Sequence, residues 1–188
     1  GGTGTGIILV GERLGTTWVA TAEHVAPEKD CFYSIVLSDG RTYIANRSVE
    51  DDKHDVALLK VHGIGDYDLL ENAHGKLGDS VQVTGFPFDC YKWNTELSVT
   101  YGNIATVYKD RKYQFRVTAE FISGNSGGPA WSPEGHLIGM TNAGWVFRHG
   151  NTCNNVPFDS HYYVTSADHI FSLLRKVYAI PDDPHPHF

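Results

Sequence analysis

The feature that most narrows the fold of this chain is the rhythm of its apolar residues, which fall in short runs broken by turn-forming sequence. Candidate strands occupy residues 6–10, 16–21, 32–37, 42–48, 56–61, 80–84, 97–107, 113–118, 128–131, 137–142 and 162–165. Turn signals such as Ser38-Asp39-Gly40 and Ser132-Pro133-Glu134-Gly135 separate them. Many short strands at this spacing indicate a sandwich or barrels rather than an alternating β/α fold. One segment departs from the rhythm. After Ser166, residues Ile170, Phe171, Leu173, Leu174 and Val177 share one face at helical spacing. Ser166 is a suitable N-cap, Asp168 suits the first turn, and Arg175 and Lys176 suit the last. These signals predict a helix over 166–178, followed by a proline-rich tail over 181–188.

A chain of 188 residues accommodates one sizeable domain, or two lobes sharing an interface. We read residues 1–188 as a single unit, with an N-terminal lobe over 1–70 and a C-terminal lobe over 78–165. The chain begins at Gly1 and its only methionine is Met140, so it is expected to be a processed or excised piece. The formal charge of -7 argues against a nucleic-acid partner, which requires clustered Lys and Arg. The densest charged stretch, "EDDKHD" over 50–55, reads largely as a solvated loop, with Asp51 and Asp52 as solvated charges. Cys31, Cys90 and Cys153 are odd in number and widely spaced, which implies neither a disulfide framework nor a CxxC metal site; a single bridge stays open. No apolar run approaches the length of a membrane span.

Two cofactor readings fall away on context. The opening "GGTGTG" precedes a β-like run, whereas a dinucleotide loop follows a strand and opens a helix. The tail histidines His185 and His187 have a spacing that makes a poor metal site. Neither a metal nor an organic cofactor is expected.

The segment "FISGNSGGPAWS", residues 121–132, reads either as a tight turn between strands or as a loop presenting a nucleophile, Ser126. A serine hydroxyl is a poor nucleophile at neutral pH. It needs an imidazole to take its proton and a carboxylate to fix the imidazole tautomer. His24 follows an apolar run in "WVATAEHVAP", and Asp55 heads one in "HDVALLKV". That position puts the Asp55 carboxylate at the edge of a core, where an unpaired charge is costly. The alternatives are ordinary ones: a histidine filling a polar position, and an aspartate starting a strand. Gly124, Gly127 and Gly128 let the loop turn its amides inward. Residues Gly124, Asn125 and Ser126 are therefore the candidate oxyanion hole, with the Gly124 and Ser126 amides as donors.

The three motifs "TAEHV", "DVALLKV" and "GNSGGPAW", in the order His, Asp, Ser, resemble those of the trypsin/chymotrypsin-like serine proteases. The opening "GTGTGIILV" and the "GNSGGP" form look closest to the high-temperature-requirement branch and to some viral processing proteases. The resemblance runs from Thr3 to about Val177. It implies an all-β fold of two antiparallel six-stranded barrels with a C-terminal helix, and a serine endopeptidase acting through His24, Asp55 and Ser126. Its expected partners are protein or peptide substrates.

The chain also departs from that family. Digestive members carry an aspartate before the nucleophile that pairs with a newly cut N-terminus, and here that position is Asn125. No zymogen switch of that type is expected. In trypsin-like members the residue six before the nucleophile lies at the base of the S1 pocket, which here is Glu120, and an acid there implies Lys or Arg at P1. The competing reading uses "GMTNAGW" as the peptide-docking strand, with Asn142, Ala143 and Gly144 pairing main chain to main chain. Thr141 and His161 then add polar contacts, and a histidine there suits Glu or Gln at P1. Polyprotein processing and protein quality control both stay open as settings. The alternative from another class is an inactive protease-like peptide-binding module.

Overall fold

The computed structural model describes residues 3–10, 16–65, 67–89, 92–93, 96–146 and 160–178. The proline-rich tail, Cys90 and Cys153 lie outside the described residues. Cys31 is an exposed free thiol.

The first sheet holds β1 (Ile7–Val10), β2 (Thr17–Ala22), β3 (Phe32–Val36), β4 (Thr42–Asp51) and β5 (Val56–Val61), in the antiparallel order β1-β2-β5-β4-β3. A two-stranded hairpin, β7 (Phe88–Asp89) with β8 (Lys92–Trp93), was not legible in the periodicity. The remaining strands are β6 (Ser80–Gly85), β9 (Ser98–Val107), β10 (Phe115–Val117), β11 (Pro129–Trp131), β12 (Leu137–Val146) and β13 (Ser160–Ser166). These six close into an antiparallel barrel in the order β10-β13-β12-β11-β6-β9. The helix α1 spans Ala167–Tyr178. The fold is chymotrypsin-like, with the barrel closed as expected. Among the described residues the first sheet has five strands, and β1 and β3 are its edges. A cleft of about 780 Å³ opens between those edges, lined by Gly4, Gly6, Val25, Phe32, Ser34 and Ile35 but not by Asp55 or Ser126.

Burial explains why the central strands read as unbroken apolar runs. Every residue of β2 is buried, because both faces of the strand are covered. On one face Val19 packs with Ala45, Leu59, Val61 and Ile64. On the other, Trp18, Ala20 and Ala22 join Val56 and Leu58 from β5, Leu137 and Met140 from β12, and Ile170, Phe171, Leu173 and Leu174 from α1. The helix face predicted from spacing thus lies against the first sheet, and each fully buried Leu or Ile there contributes about 1.5–3 kcal/mol. Ser166 caps α1 by accepting the Asp168 N–H at 3.3 Å. A separate core of Val81, Val83, Ile104, Phe115, Val117, Phe121, Ile138, Tyr162 and Val164 fills the barrel. One shared core therefore fixes sheet, barrel and helix together, and the candidate site lies at their junction.

Candidate active site

His24 and Asp55 meet because β2 and β5 are antiparallel and in register to their ends, with Ala22 opposite Val56. Past that pair the chain turns into a 3-10 turn over Glu23–Val25, and the Glu23 N–H donates to the Asp55 carbonyl at 3.2 Å. Asp55 holds a left-handed backbone, φ 60°, a conformation that Asp tolerates better than most residues. This bend turns its carboxylate back toward His24. The His24 N–H donates to Asp55 Oδ1 at 3.0 Å, and the ring Nδ1 lies 2.8 Å from Oδ2.

The carboxylate is 1% exposed and carries a set of donors. Asn142 Nδ2 donates to Oδ2 at 2.9 Å and to the Asp55 carbonyl at 3.1 Å, and the Tyr113 hydroxyl lies 3.4 Å from Oδ2. Burial pushes the Asp55 carboxyl up, but the hydrogen bonds from His24 and Asn142 outweigh it and hold the group below the usual carboxylate range. An ionised carboxylate only accepts, so His24 Nδ1 is the donor in this contact, and in the neutral ring Nε2 is the nitrogen that can accept a proton. Burial and the neighbouring Asp55 charge push the Tyr113 hydroxyl up to about 12, so it stays a neutral donor.

The Ser126 loop is made from main chain. The β11–β12 ladder, with Pro129 opposite Met140, continues into it through Gly127 N–H to the Thr141 carbonyl (2.7 Å) and Thr141 N–H to the Gly128 carbonyl (2.8 Å). The Thr141 hydroxyl donates to the Asn125 carbonyl at 2.5 Å. From the other side Thr5 straps the loop. Its N–H donates to the Ser126 carbonyl and its hydroxyl to the Gly124 carbonyl, both at 2.8 Å, while that hydroxyl accepts the Phe86 N–H at 2.9 Å. Gly127 has φ +87°, and a Cβ on it would lie 2.2 Å from the Thr5 carbonyl oxygen. Only glycine fits.

Within this loop the Asn125 N–H is committed to the Ile122 carbonyl (3.0 Å) and the Gly128 N–H to the Asn125 carbonyl (2.8 Å). The Gly124 and Ser126 amides have no hydrogen-bond acceptor among the described residues. Of the three residues expected to form the oxyanion hole, Asn125 has its N–H used to close the turn, and Gly124 and Ser126 have theirs without an acceptor among the described residues. The Ser126 hydroxyl donates to the Asn142 carbonyl at 3.0 Å. Asn142 therefore touches both halves of the site, with its side chain on Asp55 and its main chain on Ser126.

The expected specificity residues are distributed differently from the sequence reading. Thr141 is 0% exposed and its hydroxyl is directed into the nucleophile loop, which leaves it no contact to offer a peptide. Asn142 supplies a side chain to the acid as well as a strand position. Ala143 and Gly144 lie in β12 opposite Tyr163 and Tyr162 of β13. Beyond Met140 no strand pairs with the other edge of β12 among the described residues. Glu120 is exposed, and its carbonyl accepts the Thr100 hydroxyl at 2.7 Å. His161 lies beside Arg116, Nδ1 to NH1 3.4 Å. The next residue after Glu120, Phe121, packs ring to ring with Tyr162, their centroids 5.1 Å apart and both rings buried. Thr5, Tyr113 and the Asn142 side chain were not singled out from sequence, since each acts on a partner distant in the chain.

A family model described as a trypsin-like peptidase domain matches residues 4–140. Among curated proteins, the periplasmic pH-dependent serine endoprotease DegQ of Escherichia coli is 29% identical over 151 residues, covering 76% of this chain and 31% of that protein. A probable periplasmic serine endoprotease DegP-like of Marinomonas sp. is 29% identical over 131 residues, covering 65% of this chain and 26% of that one. Serine protease HTRA1 of Xenopus tropicalis is 29% identical over 149 residues, covering 73% and 30%. The chain spans about a third or less of the length of these relatives.

Proposed function

The chain belongs to the trypsin-like peptidase family and is related to the DegP and HTRA1 serine proteases, and on that footing we propose that it is a serine endopeptidase. Ser126 is the nucleophile, His24 the general base and acid, and Asp55 the residue that holds the His24 tautomer. The observation that carries this reading is the 2.8 Å contact from His24 Nδ1 to a buried, ionised Asp55, linked through Asn142 to the Ser126 hydroxyl.

In the proposed cycle the Ser126 hydroxyl leaves the Asn142 carbonyl for His24 Nε2 as substrate enters. His24 takes the proton while Ser126 Oγ attacks the scissile carbonyl. The Gly124 and Ser126 amides receive the developing oxyanion, each such donor being worth roughly 10²–10³ in rate. His24 protonates the leaving amine, and water then hydrolyses the acyl-enzyme by the same route. Asn125 carries no charge for an activation-type ion pair, and the loop is already pinned by Thr5 and Thr141, which favours activity without an activating cut.

Substrate docks as an extended strand along the edge of β12 that is unpaired among the described residues, at Asn142, Ala143 and Gly144. Glu120 is exposed and shares an open cleft of about 250 Å³ with Arg116 and Tyr162. It is therefore not a buried, unpaired acid that calls for Lys or Arg, and the buried Phe121–Tyr162 rings next to it favour a short apolar P1 side chain. An extended segment with small apolar residues is what an unfolded protein exposes. Together with the relation to DegP and HTRA1, this favours a quality-control setting over polyprotein processing. The test is digestion of unfolded casein with the cut sites mapped by mass spectrometry. We expect cuts after short apolar residues and a loss of about 10⁵-fold or more in Ser126→Ala. Retained proteolysis in that variant refutes the assignment, and cutting after Lys or Arg returns Glu120 to the pocket.

A further inference from the structure

The turn that leads into Asp55 carries a second cluster that proteolysis does not use. Asp51 and His54, expected from sequence to be solvated, are half-buried, with His54 Nδ1 2.7 Å from Asp51 Oδ2. The His54 ring stacks on that of His169, in the first turns of α1, with centroids 3.6 Å apart and planes 9° from parallel. One ligand atom from each of the three residues lies within 4.8 Å of the others. We propose that Asp51, His54 and His169 form a transition-metal site, with Zn²⁺ the ion it suits best.

The donor set supports this choice. Two imidazoles and a carboxylate are borderline-to-hard ligands, which suit Zn²⁺ better than Ca²⁺ or Mg²⁺, whose shells are built from oxygen. Three protein donors leave a fourth tetrahedral position for water. With metal–ligand bonds of about 2.0–2.2 Å, tetrahedral donors stand about 3.4 Å apart, so Asp51 Oδ2 and His54 Nδ1, 2.7 Å apart, open slightly on binding. An imidazole lone pair lies in the ring plane, so the parallel His54 and His169 rings must also rotate out of their stack to converge on one ion.

The position gives the site a role. His169 belongs to α1, whereas His54 immediately precedes Asp55, and the Thr165 hydroxyl already donates to the His54 carbonyl at 2.9 Å. An ion bridging the two elements clamps the helix to the corner that presents the catalytic acid. Because the ion binds the folded chain preferentially, it stabilises by mass action.

The experiment is calorimetric titration of Zn²⁺ into the metal-free full chain carrying His185→Ala and His187→Ala, which removes the tail histidines as competitors. The Ser126→Ala substitution is added as well, so that the result is independent of proteolysis. We expect one ion per chain. We also expect binding weakened by more than about tenfold in His169→Ala and in Asp51→Asn. Co²⁺ should give the visible absorption of a four-coordinate site, absent in His54→Ala. At Zn²⁺ about 100-fold above Kd, Tm should rise by about 5–10 °C, with no rise in His169→Ala. Should His54→Ala fold poorly, the near-isosteric change Asp51→Asn carries the comparison alone. Equal binding by the parent chain and Asp51→Asn or His169→Ala overturns the proposal, as does binding that disappears with His185 and His187.

Discussion

The two halves of the candidate active site are built by different means. The Ser126 loop is held by main-chain hydrogen bonds, with Thr5 and Thr141 as straps and with glycines where a Cβ has no room. The His24–Asp55 corner is held by side chains, with a buried carboxylate satisfied by His24, Asn142 and Tyr113. The first half is a matter of shape and tolerates little. The second is electrostatic, so substitutions there should give graded losses set by how much each donor contributes.

The sharpest test of the electrostatic half is Asp55→Asn. It preserves volume but lets the amide hold His24 in the wrong tautomer, and kcat should fall by about 10⁴ with little change in KM. A loss under tenfold would show that the corner does not depend on the carboxylate.

For the shape half, Gly127→Ala forces a Cβ to within 2.2 Å of the Thr5 carbonyl at a positive φ. The loop must shift, and a displacement of about 1 Å at the nucleophile costs about 10² in kcat/KM. Normal turnover would mean that the Thr5 strap is not tight.

The smallest effect is expected at Asn142→Ala, which removes one donor from Asp55 and leaves the β12 main chain in place. We expect a roughly tenfold loss in kcat, in keeping with one lost hydrogen bond to a charged group. It also changes the pH dependence of stability. The folded pKa of Asp55 lies below its unfolded value of about 3.9, so its contribution is present above that value and is lost as pH falls through the folded pKa. Removing the Asn142 donor raises the folded pKa, and acid unfolding should begin at higher pH in the variant. Asp51, where burial pushes upward but the His54 hydrogen bond prevails to hold it low, contributes in the same sense to both chains. Superimposable Tm profiles between pH 5 and 2 would show that Asn142 does not support the acid.

Much of this was legible in sequence, for a physical reason. His24 follows β2 and Asp55 precedes β5, so both flank apolar runs whose burial is set by composition. The α1 face was legible because helical spacing is local. What was hidden depends on partners far along the chain. Thr5 acts on Gly124 across 119 positions and Asn142 on Asp55 across 87, and no local pattern marks either. Thr141 was expected at the substrate and instead supports the nucleophile loop, because a strand position does not reveal which way a hydroxyl turns. Asp51 and His54 look like solvated charges until α1 is packed beside them.

The central claim is that both halves act on one hydroxyl. Treatment of the wild-type chain with a fluorophosphonate, followed by peptide mapping, tests it most directly. One label is expected, on Ser126, with labelling slowed strongly in His24→Ala chains that keep their fold. A folded wild-type chain that takes up no label at Ser126, or that labels equally fast without His24, would contradict it.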